Sequence, residues 1–167
     1  AARYNVNYDV ADAIDVPLLL RDLDALLAGQ TITYPKYDFN QHTRVDGGTA
    51  LAPRPIILLE GILALAIPEV TARLSAGIFV ETPVAECFAR RCTRDSLTRN
   101  RTPEETLSDW QRFVEPSLRD HILPSKEAAD VVVPGTDFRA AMAQLRAFLF
   151  PFTVAADGHK KPADLGG

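Results

Sequence analysis

The strongest constraint in this sequence is a run of apolar residues that does not alternate. Arg54-Pro-Ile-Ile-Leu-Leu-Glu60 places four apolar side chains in succession and ends in an acid followed by Gly61. A half-exposed strand alternates apolar and polar positions, so an unbroken run predicts a strand covered on both faces. Two shorter runs repeat the pattern, Gly77-Ile-Phe-Val-Glu81 and Asp130-Val-Val-Val-Pro134. Helical patterns separate and follow them, and that alternation predicts a mostly parallel α/β sheet. Such sheets bind ligands beyond the carboxyl ends of their strands. Attention therefore falls on Glu60, Glu81 and the residues after Val133.

The helices carry their own start and stop signals. Asp15 is placed to cap a helix running to about Ala28, with Pro17 in its first turn and Gly29 just past its end. Val16, Leu19, Leu20, Leu23 and Leu27 form its apolar stripe. Thr82-Pro83 opens a second helix, predicted to run to about Arg94. Thr102-Pro103-Glu104-Glu105 is a capping box, and the helix it opens turns Leu107, Trp110, Val114 and Leu118 to one side, with a kink expected at Pro116. A last helix after Thr136-Asp137 is expected to bury Phe138, Ala141, Leu145 and Phe148.

Between the first helix and the apolar run, residues 31–50 read as a small β-ribbon. Thr31-Ile-Thr-Tyr alternates and Asp46-Gly47-Gly48 supplies a turn. One domain over residues 1–150 is expected, followed by a tail over 151–167, polar from Asp157, that is expected to be disordered.

Composition removes several classes of function. The net charge of −4 gives no general attraction for nucleic acid, so any anion site must be a local patch. The two cysteines, Cys87 and Cys92, fall on different faces of one helix with no further Cys or His to complete a zinc site, and read as small thiols in a reducing compartment. No apolar run is long enough to span a bilayer, and a cytoplasmic protein is expected.

Three features carry possible chemistry, each with a plainer alternative. Glu60, at the end of a buried strand, stands where P-loop enzymes keep an acid that supports Mg²⁺; it would equally serve as a solvated strand end or a helix cap. Arg90, Arg91, Arg94, Arg99 and Arg101 fall within twelve positions, with a polar loop expected from Asp95 to Thr102. Guanidiniums on a helix–loop–helix flap suit a transferring phosphoryl group, whose transition state is mostly charge to be stabilised. A solvated helix face, with Glu86 pairing to Arg90, is the plainer alternative. In Tyr34-Pro-Lys-Tyr-Asp-Phe-Asn-Gln-His-Thr-Arg44, aromatics interleave with Asp38, His42 and Arg44. That mixture suits a flat polar base, or simple packing on a ribbon.

Taken in order, these segments resemble the uridine-cytidine kinase family of P-loop kinases, with similarity also to phosphoribulokinase. The resemblance lies in Asn7-Tyr-Asp-Val-Ala-Asp-Ala-Ile-Asp15, Tyr34 to Arg44, Leu58-Leu-Glu-Gly-Ile-Leu63, Ile78-Phe-Val-Glu-Thr82, Arg90-Arg-Cys-Thr-Arg-Asp95, Phe113-Val-Glu-Pro116 and Leu123 to Pro134. It implies a P-loop NTPase-like three-layer αβα fold with a small β-ribbon and a helical lid at about 90–103. It implies ATP and Mg²⁺ as cofactors and a 5′-phosphorylated pyrimidine nucleoside as product. Asp9 then falls where the family holds the ribose hydroxyls, and Tyr37 and His42 where it contacts the pyrimidine edge. Arg91 and Arg101 fall on nucleoside- or phosphate-contacting positions, Arg94 and Arg99 on lid arginines, Glu60 on the Mg²⁺-supporting acid, and Asp137 near the adenine. A homo-oligomer is also implied.

Two departures shape the expectation. No Gly-x-x-x-x-Gly-Lys-[Ser/Thr] loop occurs in these residues, nor the strand ending near the acid that serves as general base. With the Met-free opening Ala1-Ala2-Arg3-Tyr4, this favours a fragment of a working kinase, inactive alone, over a natural nucleoside-binding truncation. Asp109 stands where uridine kinases carry a Gln that hydrogen-bonds the base; an ionised Asp only accepts. The change suits a donor-rich edge such as cytosine's amine, or another acceptor of same-fold kinases: pantothenate, ribulose phosphate or nicotinamide riboside.

Overall fold

The computed structural model describes Asn7 and residues 9–38, 43–99 and 101–158. The chain divides into two compact units, residues 1–60 and 61–167.

In the first unit, helix α1 spans Val16–Leu27. Its start is the expected one, with the Asp15 carboxylate accepting from the Leu18 N–H at 3.1 Å. At its end Gly29 takes a φ of 79°. The N–H of Gln30 returns to the Ala25 carbonyl at 2.9 Å and that of Gly29 to Leu26 at 3.0 Å, satisfying carbonyls that the last turn leaves open. Leu23 and Leu26 are buried, whereas Leu27 of the expected stripe is exposed.

Strands β1 (Ile32–Asp38) and β2 (Thr43–Leu51) form the expected ribbon, antiparallel and running from Ile32↔Leu51 to Asp38↔Thr43. The expected turn at Asp46-Gly47-Gly48 is instead a bulge inside β2. The register jumps from Pro35↔Gly48 to Lys36↔Val45. Pro35 has no N–H for the ladder, and Gly47 absorbs the extra residues at a φ of 84°.

The apolar run before Glu60 is not a strand. Residues 52–61 form no regular element, and Leu58 is 84% exposed. An extended segment becomes a strand only when another takes up its N–H and C=O groups. Among the described residues no strand pairs with this one.

In the second unit, a short helix α2 (Pro68–Thr71) precedes β3 (Ile78–Glu81), and β4 (Val131–Pro134) pairs with β3 in parallel, from Ile78↔Val131 to Glu81↔Pro134. This parallel pair, joined through helices, is of the α/β class expected. Helix α3 runs Val84–Arg99. Helix α4 (Pro103–Asp109) leads through a π-helical stretch at Trp110–Val114 to α5 (Glu115–Ser117) and a second π-helical stretch at Leu118–Ile122. Pro116 lies between the two wide stretches, where a missing N–H would interrupt ordinary helix bonding. Along this path Thr106, Trp110, Val114 and Ser117 are buried, and the expected Leu107 is exposed. Trp110 meets the ring of Phe88 on α3 edge-on, 5.2 Å between centroids.

Helix α6 covers Phe138–Gly158, taking in the first eight residues of the expected tail. Phe148 and Phe152, one turn apart, bring their rings within 5.7 Å across Pro151. Phe138, expected in the core, is exposed, while Ala141 is buried. With Leu63, Ile67, Val70, Trp110, Val114, Ile122 and Val133, Ala141 forms this unit's core.

Candidate functional site

The arginines of the second unit converge on one acid. Asp95 lies inside α3 with its side chain fully buried. Arg94 grips its Oδ1 with Nε at 2.9 Å and a terminal nitrogen at 2.8 Å. Arg99, one turn later, approaches the same oxygen at 3.5 Å, and Arg91, one turn earlier, faces Oδ2 at 3.4 Å. The expected loop from Asp95 is therefore helix as far as Arg99. The i,i+4 pairs on either side of Asp95 favour the extra turn, and arginines near a helix C-terminus also suit its dipole.

Beyond the helix, the backbone N–H of Arg101 returns to the Asp95 carbonyl at 3.2 Å. Its guanidinium donates to Asp109 at the end of α4. The capping box forms as expected: Thr102 Oγ1 accepts from the Glu105 N–H at 3.2 Å, and the Glu105 carboxylate accepts from the Thr102 N–H at 2.9 Å. Four guanidiniums thus surround two carboxylates. The pKa of Arg99 is lowered by burial and then by the Arg94 charge, with Asp95 opposing the shift. The guanidinium stays charged, and the crowding leaves a positive patch that a phosphoryl group would satisfy.

Arg90 does something else. It binds Glu86 at 2.7 Å and the Gly135 carbonyl at 3.1 Å, tying α3 to the turn after β4. At the carboxyl end of β3, Glu81 pairs with Lys126 at 2.5 Å. Asp137, in the turn after β4, caps α6 by accepting from the Ala140 N–H at 2.9 Å.

In the first unit, Asp9 is half-buried and its N–H donates to the Asn7 side chain at 2.9 Å. Tyr37 lies on β1 opposite Arg44 on β2, and Arg44 reaches across to Asp15 at 3.0 Å. The α1 cap thereby also anchors the ribbon. Glu60 is exposed, and His42 lies outside the described residues.

The model of the Phosphoribulokinase / Uridine kinase family matches residues 1–140 of this sequence. The chain belongs to that family. It is 38% identical over 148 residues to the uridine kinase of Vibrio vulnificus (strain YJ016), covering 88% of this chain and 70% of that relative. To the uridine kinase of Shewanella amazonensis it is 39% identical over 132 residues, 79% of this chain and 62% of the relative. To that of Aeromonas salmonicida it is 40% identical over 146 residues, 87% and 68% respectively. The chain thus spans about two-thirds of these relatives' length.

Within this member of the phosphoribulokinase/uridine kinase family, the structure brings together Arg91, Arg94 and Arg99 on α3 and joins Arg101 to Asp109. It places Asp9 and Tyr37 in one unit and the arginines in the other. Sequence reasoning missed Asp95 as the organiser of the cluster. The signal was present: one acid amid five arginines, four residues from Arg91 and four from Arg99. Among the described residues no helix is long and apolar enough to cross a membrane.

Proposed function

We propose that this chain carries the acceptor-binding and lid parts of an ATP-dependent kinase that phosphorylates the 5′-hydroxyl of uridine or cytidine in pyrimidine salvage, in the cytoplasm. The observation that carries this reading is the set of arginines gathered on buried Asp95, in a relative of uridine kinases. Phosphoryl transfer asks a protein for positioning and for fixed positive charge around the moving group. A cluster with more cations than anions supplies the second requirement.

In this reading Asp9 holds the ribose hydroxyls, and Tyr37 and His42 receive the base. Arg91 and Arg101 bind nucleoside or phosphate, and Arg94 and Arg99 neutralise charge on the transferring group. Asp137 lies near the adenine while capping α6. Glu60 would help hold Mg²⁺, which would supply positive charge to offset that of the ATP phosphates. The residues fit that role: Mg²⁺ carried on phosphates needs one or two protein carboxylates, and Glu60 is an exposed one. Among the described residues no group of three His, Cys, Asp or Glu is placed to hold a metal by itself.

The test is a coupled ADP-release assay with Mg²⁺ and ATP, offering uridine, cytidine, pantothenate, ribulose 5-phosphate and nicotinamide riboside in turn. It is run on the 167-residue chain and on the full reading frame that contains it, because the phosphate-cradling glycine loop is not among these residues. Turnover of uridine or cytidine above the other acceptors supports the reading. Turnover of another acceptor alone replaces the substrate, and nucleoside binding without turnover in either protein leaves a binding module.

A further inference from the structure

We propose that Asp95 is a positioning residue: it holds Arg91, Arg94 and Arg99 in anion-binding order before any phosphate arrives. The inference rests on reading this cluster as the phosphoryl clamp, and it assigns the clamp's geometry to a residue that itself touches no phosphate.

Three observations carry it. The Asp95 side chain is fully buried, and a carboxylate stays buried and charged only when its partners are fixed. Its neighbours take unequal shares. Arg94 occupies Oδ1 with two nitrogens at 2.8 and 2.9 Å, whereas Arg91 and Arg99 stand at 3.4 and 3.5 Å. Arg94 is therefore anchored, while Arg99 is held at ion-pair distance; their side chains are 47% and 42% exposed. Lastly, the Asp95 backbone carbonyl receives the Arg101 N–H, so the same residue sets where the fourth arginine leaves the helix.

The physical need is plain. A long guanidinium side chain samples many rotamers, and three of them on one helix face repel each other. A single buried carboxylate reduces both costs and still leaves the cluster with net positive charge. The opposite expectation is equally clear: were Asp95 a mere counter-ion, it would compete with the incoming anion, and its neutralisation would tighten binding.

These alternatives differ in sign. Binding of inorganic tripolyphosphate to the 167-residue chain is measured by titration calorimetry for wild type, Asp95→Asn and Asp95→Glu. Positioning predicts that Asp95→Asn binds about tenfold or more weakly although it adds net positive charge, and that Asp95→Glu recovers most of the loss. Equal or tighter binding by Asp95→Asn overturns the proposal, as does absence of binding by wild type.

Should Asp95→Asn fail to fold, the wild type alone decides. Without ligand, the Nε–H resonance of Arg94, which donates to Asp95, is expected to persist at neutral pH in nitrogen-15 spectra. Its exchange at the rate of free arginine overturns the inference. Uridine phosphorylation by the full reading frame is scored separately: turnover alongside unchanged anion affinity in Asp95→Asn leaves the kinase reading standing and removes only this inference.

Discussion

The guanidinium of Arg101, just ahead of α4, donates to the carboxylate of Asp109 at the end of that helix. Asp109 is thus engaged by a cation of the same cluster, and the acid at this position belongs to the arginine system. Asp109→Gln replaces an acceptor-only group with one that donates as well, and it releases Arg101 from its ion pair. In the proposed kinase the ratio of kcat/KM for uridine over cytidine is expected to rise about tenfold, the scale of one mismatched hydrogen bond. Parallel steady-state assays check it; an unchanged ratio would remove Asp109 from base discrimination.

Arg90 and Arg99 share a helix but have different employment. Arg99→Gln is expected to lower kcat about 10²-fold, as loss of one charge-stabilising donor does. Arg90 is already bound to Glu86 and the Gly135 carbonyl, so Arg90→Gln is expected to change kcat less than about threefold and to register as lower thermal stability. Paired kinetics and melting curves separate the two.

The capping box at Thr102 and Glu105 fixes where α4 begins. Thr102→Ala is expected to cost about 1 kcal/mol, or about 2–4 °C in melting temperature for a chain of this size. Differential scanning calorimetry reads the shift, and a variant as stable as wild type would deny the cap its role.

Acid should loosen the attachment of the ribbon to α1. The Leu18 N–H, and after it Arg44, hold the Asp15 carboxyl below its ordinary pKa of 3.8. A group whose folded pKa is depressed adds stability at pH values above its unfolded pKa and loses it as pH falls through the folded one. Urea melts should therefore show a constant gap between wild type and Asp15→Asn above pH 3.8, closing as the pH falls below it. A gap that persists in stronger acid would assign the contribution to something other than ionised Asp15.

Trp110 is the chain's one tryptophan and a buried contact between α3 and the π-helical stretch. Trp110→Ala is expected to cost about 3–5 kcal/mol. Trp110→Phe should cost clearly less, because a ring remains to meet Phe88. Chemical denaturation followed by circular dichroism tests the order, since the fluorescence reporter is removed.

How much of this could be read from the residues depends on where the deciding interactions lie. Asp15, Thr102 and Glu105 were legible because a cap is satisfied within one turn of its own residue. Strands β3 and β4 were legible because each is a short apolar run, and they found each other. Residues 54–60 had the same signature but, among the described residues, no partner, so periodicity alone misplaced them. The ribbon's turn was misread because Asp46-Gly47-Gly48 suits a hairpin, whereas the missing N–H of Pro35, thirteen residues earlier in register with Gly48, makes it a bulge. At the candidate site, the arginines announced themselves by number, while Asp95 stayed hidden because burial is not written in residue type.

The parallel pair β3–β4 also has a practical side. Among the described residues no further strand pairs with either outer row of peptide groups, and Val80 presents 59% of its surface beside them. Open strand edges are a template on which another strand can pair. A synthetic β-peptide that adds to the ladder would make the pair a reporter of strand binding, read out by protection of the edge amides from hydrogen exchange.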